Sequence, residues 1–484
     1  MNIHRAIARA LTAAFVIAWS GAQAVSLNPR GLGEVLIYPY YTVNKNQDTL
    51  LTVGNASDLG KLVNVNIREG MNGRPIFSFR LYLSPHDIWT ARISQVGGDE
   101  GGAALFTGDS SCTYAHVVLS PEGSPFDASA YAGGSVLDPD GGPTGLARTR
   151  EGTIELIEVG TIIPGSPLDA TTTHAQTGEP NEGRPSCDRA VIGNVAGVYA
   201  DRPTGGLYGS VAIVNVGEGT FFGYEADALA DFSDVALVNT MALSWDLLLV
   251  ANSVDSATGG AIAHLLDAAG KPLALDYAYG LDAVNAVLMA DTLVNEYLIV
   301  PELGANTDWI VTFPTRMFHV DNNYVAGEAR PPFAHPAVQA RSDASVYPHV
   351  WDQEEGHAPC EDCGISPPPP ASPTVLRWHV NALSFRTGAA AEAPSGVLGS
   401  RLATNVEPWG TSGWMQLNLA DGDGGHEMIP DAGGTILHGL PATGFMVYNI
   451  INSNAAPGRL ANYGGAFAHR ASVAHSQVPA EIPE

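Results

Sequence analysis

Alternation with a period of two sets the tightest limit on how this chain can fold. Val63, Val65 and Ile67 alternate with Asn64, Asn66 and Arg68. Phe77, Phe79, Leu81 and Leu83 alternate with Ser78, Arg80 and Tyr82. Trp309, Val311 and Phe313 repeat the pattern, as do Met415, Leu417 and Leu419. Successive side chains of a strand point to opposite faces, so this spacing predicts half-buried strands. Turn clusters of Gly, Pro, Asn and Asp separate the runs, and 54 Gly with 33 Pro fit many short strands. The expected fold class is mainly β: immunoglobulin-like or related β-sandwich domains with long loops and little helix.

Apolar strands running into Asn turns recur at Leu50 to Asn55, Ser210 to Val216 and Phe445 to Asn452, a short echo of repeated sandwich units. Gly133 to Thr149 and Pro164 to Pro185 read as long polar loops. Asp282 to Tyr297 fits one amphipathic helix or a pair of strands. The prolines Pro367 to Pro370 read as a short polyproline linker. The expected division is a signal peptide over 1–24, an N-terminal β-sandwich domain over 25–205 and a middle β-rich domain over 206–357. A Pro-rich linker over 358–373 and a C-terminal β-rich domain over 374–484 complete it.

Residues 1–24 have the layout of a secretory signal. Arg5 and Arg9 precede an apolar run from Ala10 to Trp19, and Ala22-Gln23-Ala24 supplies small residues for cleavage. About ten apolar residues are too few to span a bilayer, which takes roughly 20. No lipid or transmembrane anchor is expected, and the destination is the periplasm, the cell surface or the medium. A net charge of −27 argues against nucleic acid, whose phosphates call for basic clusters. The four cysteines, Cys112, Cys187, Cys360 and Cys363, suit disulfides in an oxidising compartment, with Cys112–Cys187 and Cys360–Cys363 the favoured pairing.

Chemical signals are sparse. His357-x-x-Cys360-x-x-Cys363 has three groups able to bind zinc, but a fourth ligand is not evident nearby. Gly364 stands where a c-type haem attachment needs His, and a redox thiol pair would need βαβ context. Disulfide, metal and redox readings stay open there. Asp421, Asp423 and Glu427 lie on a Gly-rich acidic loop of the sort calcium favours, against the alternative of a solvated turn. Asp138-Pro139-Asp140 is a weaker version. No resident cofactor is expected otherwise. No G-x-S-x-G, H-E-x-x-H or P-loop occurs, and the fourteen histidines are scattered. Glu155, Glu158, Asp308 and Glu354 are carboxylates of the type glycoside hydrolysis uses, but their pairing is a matter of three-dimensional distance. No catalytic residue is assigned. Tyr38-Pro39-Tyr40-Tyr41 fits either a stacking platform for sugars or rings packed inside the first sandwich, with Pro39 at an edge position.

The stretch Ser26-Leu27-Asn28-Pro29-Arg30-Gly31-Leu32-Gly33-Glu34-Val35-Leu36-Ile37-Tyr38-Pro39-Tyr40-Tyr41-Thr42 resembles an uncharacterised family of secreted Gram-negative bacterial proteins. Glu151 to Gly160, Gly304 to Trp309 and Leu460 to Gly465 look similar too. The resemblance implies export and a Gram-negative setting, and it brings no catalytic or ligand residue. The leading functional expectation is an exported, non-enzymatic structural or adhesion-type protein with a protein or polysaccharide partner at the cell surface. The alternatives are a carbohydrate-active enzyme or carbohydrate-binding module, and a metal-binding periplasmic protein.

Overall fold

The computed structural model describes residues 24–115, 117, 120–175, 183–193, 198–238, 246, 248, 251, 261–357, 373–388, 393–457 and 459–479. The expected signal peptide up to residue 23, the pair Cys360 and Cys363, and most of the Pro-rich segment lie outside them.

The chain is mainly β, arranged as stacked antiparallel sheets. A ten-stranded sheet holds Val35–Thr42, Glu151–Ile162, Lys61–Glu69 and Pro75–Leu83 side by side at its centre. A six-stranded sheet, with Leu207–Asn215, Asp48–Asn55 and Ile88–Gln95 adjacent, packs on one face of it. Tyr38, Phe79, Trp89, Leu156 and Ile213 fill the space between. Two five-stranded sheets form a second sandwich around Trp309, Phe313, Phe385, Met415 and Leu417. One of these, carrying Ala305–Thr312, Val380–Phe385 and Thr443–Ala456, has two buried faces. Trp309 and Leu383 face the second core, while Ile310, Ala382 and Val447 join the first.

Hydrogen-bonded pairing joins strands on either side of residues 205 and 206 and on either side of the Pro-rich segment. Leu207–Asn215 pairs with Asp48–Asn55 across residues 205 and 206. Ala344–Asp352 and Thr292–Leu298 both pair with Ser412–Asn418, which lies beyond the Pro-rich segment. The helix-or-strand stretch contains both: helix Gly280–Val287, then strand Thr292–Leu298. The loop expected over 133–149 is pinned down, since the Asp138 carbonyl accepts from Arg74 and the Asp140 carboxylate from Arg148.

The alternation predicts half-buried strands, yet Lys61–Glu69 and Glu151–Ile162 are buried on both faces. The ten-stranded sheet is a middle layer, with a third core of Leu168, Val284, Met317 and Phe318 on its far side. The polar members of the alternation are therefore internal and must be paired there. Arg68 Nε lies 2.8 Å from Glu155, and Lys61 Nζ lies 2.9 Å from Glu158 and 2.6 Å from the Thr204 hydroxyl. Arg148 grips Glu69 through Nε and Nη2 at 2.8 and 3.0 Å, and Arg74 grips Asp321 at 2.6 and 3.0 Å. Tyr38, Tyr40 and Tyr41 are wholly buried, so the aromatic run is core. Pro39 is tolerated within a central sheet because the ladder shifts register between Gly152 and Ile154, opposite it.

Candidate functional site

The outer face of the second sandwich carries a stacked group of aromatic rings. Alternation places it there: Met415 and Leu417 point into the core, so Trp414, Gln416 and Asn418 point out. Trp351 pairs directly with Trp414, His349 with Gln416 and Tyr347 with Asn418. The two indoles stack with centroids 4.2 Å apart and planes 14° apart, and His349 continues the column 6.0 Å from Trp351. Trp409 and Trp414 are each 37 % exposed. Gly413 permits the close pairing, because a Cβ there would sit 1.9 Å from the Trp351 carbonyl oxygen. The buried Tyr297 hydroxyl donates to the carbonyls of Trp351 and Trp409, which fixes the backbone beneath both rings.

The face continues over the sheet edge. Glu296 lies beside Trp414 in register and forms an ion pair with Arg470 at 3.3 Å. Both line a groove of about 340 Å³ whose walls are Tyr297, Met446, Tyr448 and Phe467. The Tyr448 and Phe467 rings are parallel to within 3° at 6.1 Å, and Phe467 is half exposed. Flat rings flanked by an amide, an imidazole, a phenol and a charge pair suit a ligand with apolar C–H faces and a hydroxylated rim.

The residues singled out from sequence lie elsewhere. Asp421 accepts from Asn418 at 2.9 Å, Asp423 accepts from the Ser345 amide at 2.9 Å, and Glu427 lies 3.3 Å from His438. Each has its own partner, and among the described residues no group of three His, Cys, Asp or Glu is arranged to hold a metal. Burial by itself would raise the Asp423 carboxyl, but the Ser345 amide and the His426 and His335 rings outweigh it and hold it below the ordinary range. Glu155 and Glu158 sit in buried ion pairs, and burial pushes the Glu155 carboxyl up. Asp308 accepts from the Ser384 hydroxyl and the Gly396, Val397 and Leu398 amides. Glu354 is exposed on the turn after Ala344–Asp352, next to the aromatic face in the chain. Cys112 and Cys187 form a disulfide that spans 75 residues.

Comparison of the chain with family models, curated proteins and solved structures returns no match. Sequence reasoning passed over Trp351, Trp409, Trp414, His349, Tyr448 and Phe467. The signal for Trp414 was present, since inward Met415 and Leu417 oblige their even-numbered neighbours to face outward.

Proposed function

We propose that the chain is an exported, adhesion-type β-sandwich protein that grips polysaccharide at the cell surface through the Trp351–Trp414 face. The stacked indoles on a solvent-facing sheet, continuous with the Tyr448–Phe467 groove, carry this reading. Large exposed aromatic groups are uncommon on a soluble surface unless they meet a partner. A binding role suits this face, where Glu296 is paired with Arg470, while Glu155, Glu158 and Asp308 are committed to buried structural partners elsewhere. The Cys112–Cys187 bridge supports an oxidising destination.

Affinity electrophoresis of the purified chain through gels holding soluble polysaccharides tests this. Retardation by at least one polysaccharide is expected, with apparent affinity falling about tenfold or more in Trp351→Ala/Trp414→Ala, equivalent to roughly 1.4 kcal/mol. Equal retardation of the wild type and the double variant would remove the aromatic face from the proposal.

A further inference from the structure

At the opposite end of the chain's first sandwich, three segments distant in sequence meet around one imidazole. Ser84 and Asp87 lie in the turn between Pro75–Leu83 and Ile88–Gln95. Ser110 lies in the loop between Ala103–Phe106 and Cys112–Tyr114, and His174 follows helix Pro167–Thr172. Ser110 Oγ is 3.2 Å from His174 Nε2. On the other side of the ring, Nδ1 is 2.8 Å from Ser84 Oγ and 3.6 Å from Asp87 Oδ2. Ser84 Oγ is itself 3.3 Å from Asp87 Oδ2.

Asp87 Oδ2 accepts from the Ser84 amide at 3.1 Å and from the Ser111 hydroxyl at 3.2 Å as well. The catalytic arrangement is the tautomer in which Ser84 gives its single hydroxyl proton to Asp87 and accepts from Nδ1–H. That leaves the Nε2 lone pair to accept from the Ser110 hydroxyl, the arrangement that makes a serine nucleophilic. The disulfide fastens the two reacting groups together. Cys112 follows Ser110 by two residues, and Cys187 donates its amide to Thr171, in the helix that leads into His174. Asp109 stiffens the loop by accepting from the Ser111 amide at 2.9 Å and hydroxyl at 2.7 Å. Ser110 and His174 open onto a pocket of about 340 Å³ that Gly108, Ile88 and Arg184 also line.

We infer that Ser110 and His174 form the catalytic pair of a carboxylic-ester hydrolase acting on small acyl groups, with Asp87 and Ser84 as positioning residues. Ser110 Oγ bonds to the ester carbonyl carbon as its proton passes to His174 Nε2. The carbonyl electron pair moves to oxygen, where the Arg184 charge is at hand. The intermediate collapses, the carbon–alkoxide bond breaks, and His174 protonates the departing alcohol. Water then repeats the sequence with His174 as base, freeing the acid and restoring Ser110. A pocket at the small end of the ligand range suits an acyl group the size of acetyl or butyryl. This activity is independent of the aromatic face, and the two stand or fall separately.

The test uses the full mature chain, p-nitrophenyl acetate and a fluorophosphonate label located by peptide mass spectrometry. Wild type is expected to turn over the ester and to carry the label on Ser110. Ser110→Ala should lose the label and lower turnover by about a thousandfold or more. His174→Gln should do the same. Ser84→Ala should keep Ser110 as the labelled residue while moving the pH midpoint of the labelling rate. The charged groups that share a pocket wall with the ring are Asp58, Asp87, Asp109, Asp169 and Arg184. Absence of an adduct on Ser110 in the folded wild type would overturn the inference, whatever the variants do. Label that persists undiminished in folded His174→Gln would do so too. An unmoved midpoint in Ser84→Ala would strike Asp87 and Ser84 from the assignment.

Discussion

At the scale of single residues, burial on both faces of the central sheet decides the electrostatics. Lys61, Arg68, Arg74 and Arg148 are inside, each against a carboxylate. Removing one member of such a pair strands the other charge, whereas apolar replacement of both is tolerated. Among the described residues Glu34 has no ion-pair partner. Its carboxylate accepts from the Phe232 and Ser233 amides at 2.7 and 2.9 Å. Burial nevertheless pushes the carboxyl up to about 7, with the Glu158 and Asp231 charges adding to the rise. A raised carboxyl favours the protonated native state. Its contribution is complete below the unfolded value near 4.5 and is lost as pH climbs through about 7. Between pH 4.5 and 8 the wild type should therefore lose on the order of 3 kcal/mol relative to Glu34→Gln. Urea denaturation of both proteins at the two pH values measures this, and parallel pH dependence would contradict it.

At the scale of elements, the Cys112–Cys187 bridge ties the edge strand Cys112–Tyr114 of the ten-stranded sheet to a segment with little regular structure. The short helix Pro167–Thr172 is capped by Ser166 and held by the Thr171 carbonyl and hydroxyl, which accept from the Cys187 and Asp188 amides. The covalent link adds to these bonds, to the Tyr82 hydroxyl donating to the Ile192 carbonyl, and to the burial of Leu168 and Ile192. Cys112→Ser/Cys187→Ser should cost about 2–4 kcal/mol in urea denaturation. It should also slow fluorophosphonate labelling of Ser110, since the loop and His174 lose their common anchor. A double variant with wild-type midpoint and labelling rate would show that the noncovalent bonds suffice. The bridge also illustrates what sequence conveys at this scale. An even count of four cysteines pointed to disulfides, with Cys112–Cys187 one of the favoured pairs, because redox compartment leaves its mark in composition. Ser110, His174 and Asp87 carried no such mark, since they lie in three turns whose meeting depends on how the strands pair. The acidic loop of Asp421, Asp423 and Glu427 showed the converse. Its side chains are neighbours in sequence, and the fold turns each toward a different partner.

Across the whole molecule, the sheet carrying Ala305–Thr312 binds two cores into one body, and the half-buried His469 and the buried His379 are part of that joint. His469 Nε2 donates to the Ile310 carbonyl at 3.0 Å, and the ring packs against Trp309. His379 Nε2 meets the Thr153 hydroxyl at 3.1 Å, bridging the ten-stranded sheet to the second sandwich. Burial drives His469 down to about 4 and His379 well below the usual imidazole range. A depressed imidazole contributes stability above the unfolded value near 6.5 and loses it as pH falls toward the folded value. His469→Gln should therefore be least stable relative to wild type at pH 7. The gap should narrow by on the order of 3 kcal/mol by pH 4. A gap that stays constant from pH 7 to pH 4 in urea denaturation would exclude the neutral imidazole.

The sequence by itself determined the strands, because a side chain's face follows from the parity of its position and needs no partner to be known. It likewise determined the acidity, and it favoured a Cys112–Cys187 bridge without fixing the pairing. Only the tertiary structure decided that the polar half of the alternation at Asn64, Asn66 and Arg68 is internal, since that depends on a third layer built from residues far along the chain. The same holds for Trp351 beside Trp414 and for Ser110 beside His174. Proximity between distant segments is set by sheet register and by what packs behind it, and neither is written in any local stretch of sequence.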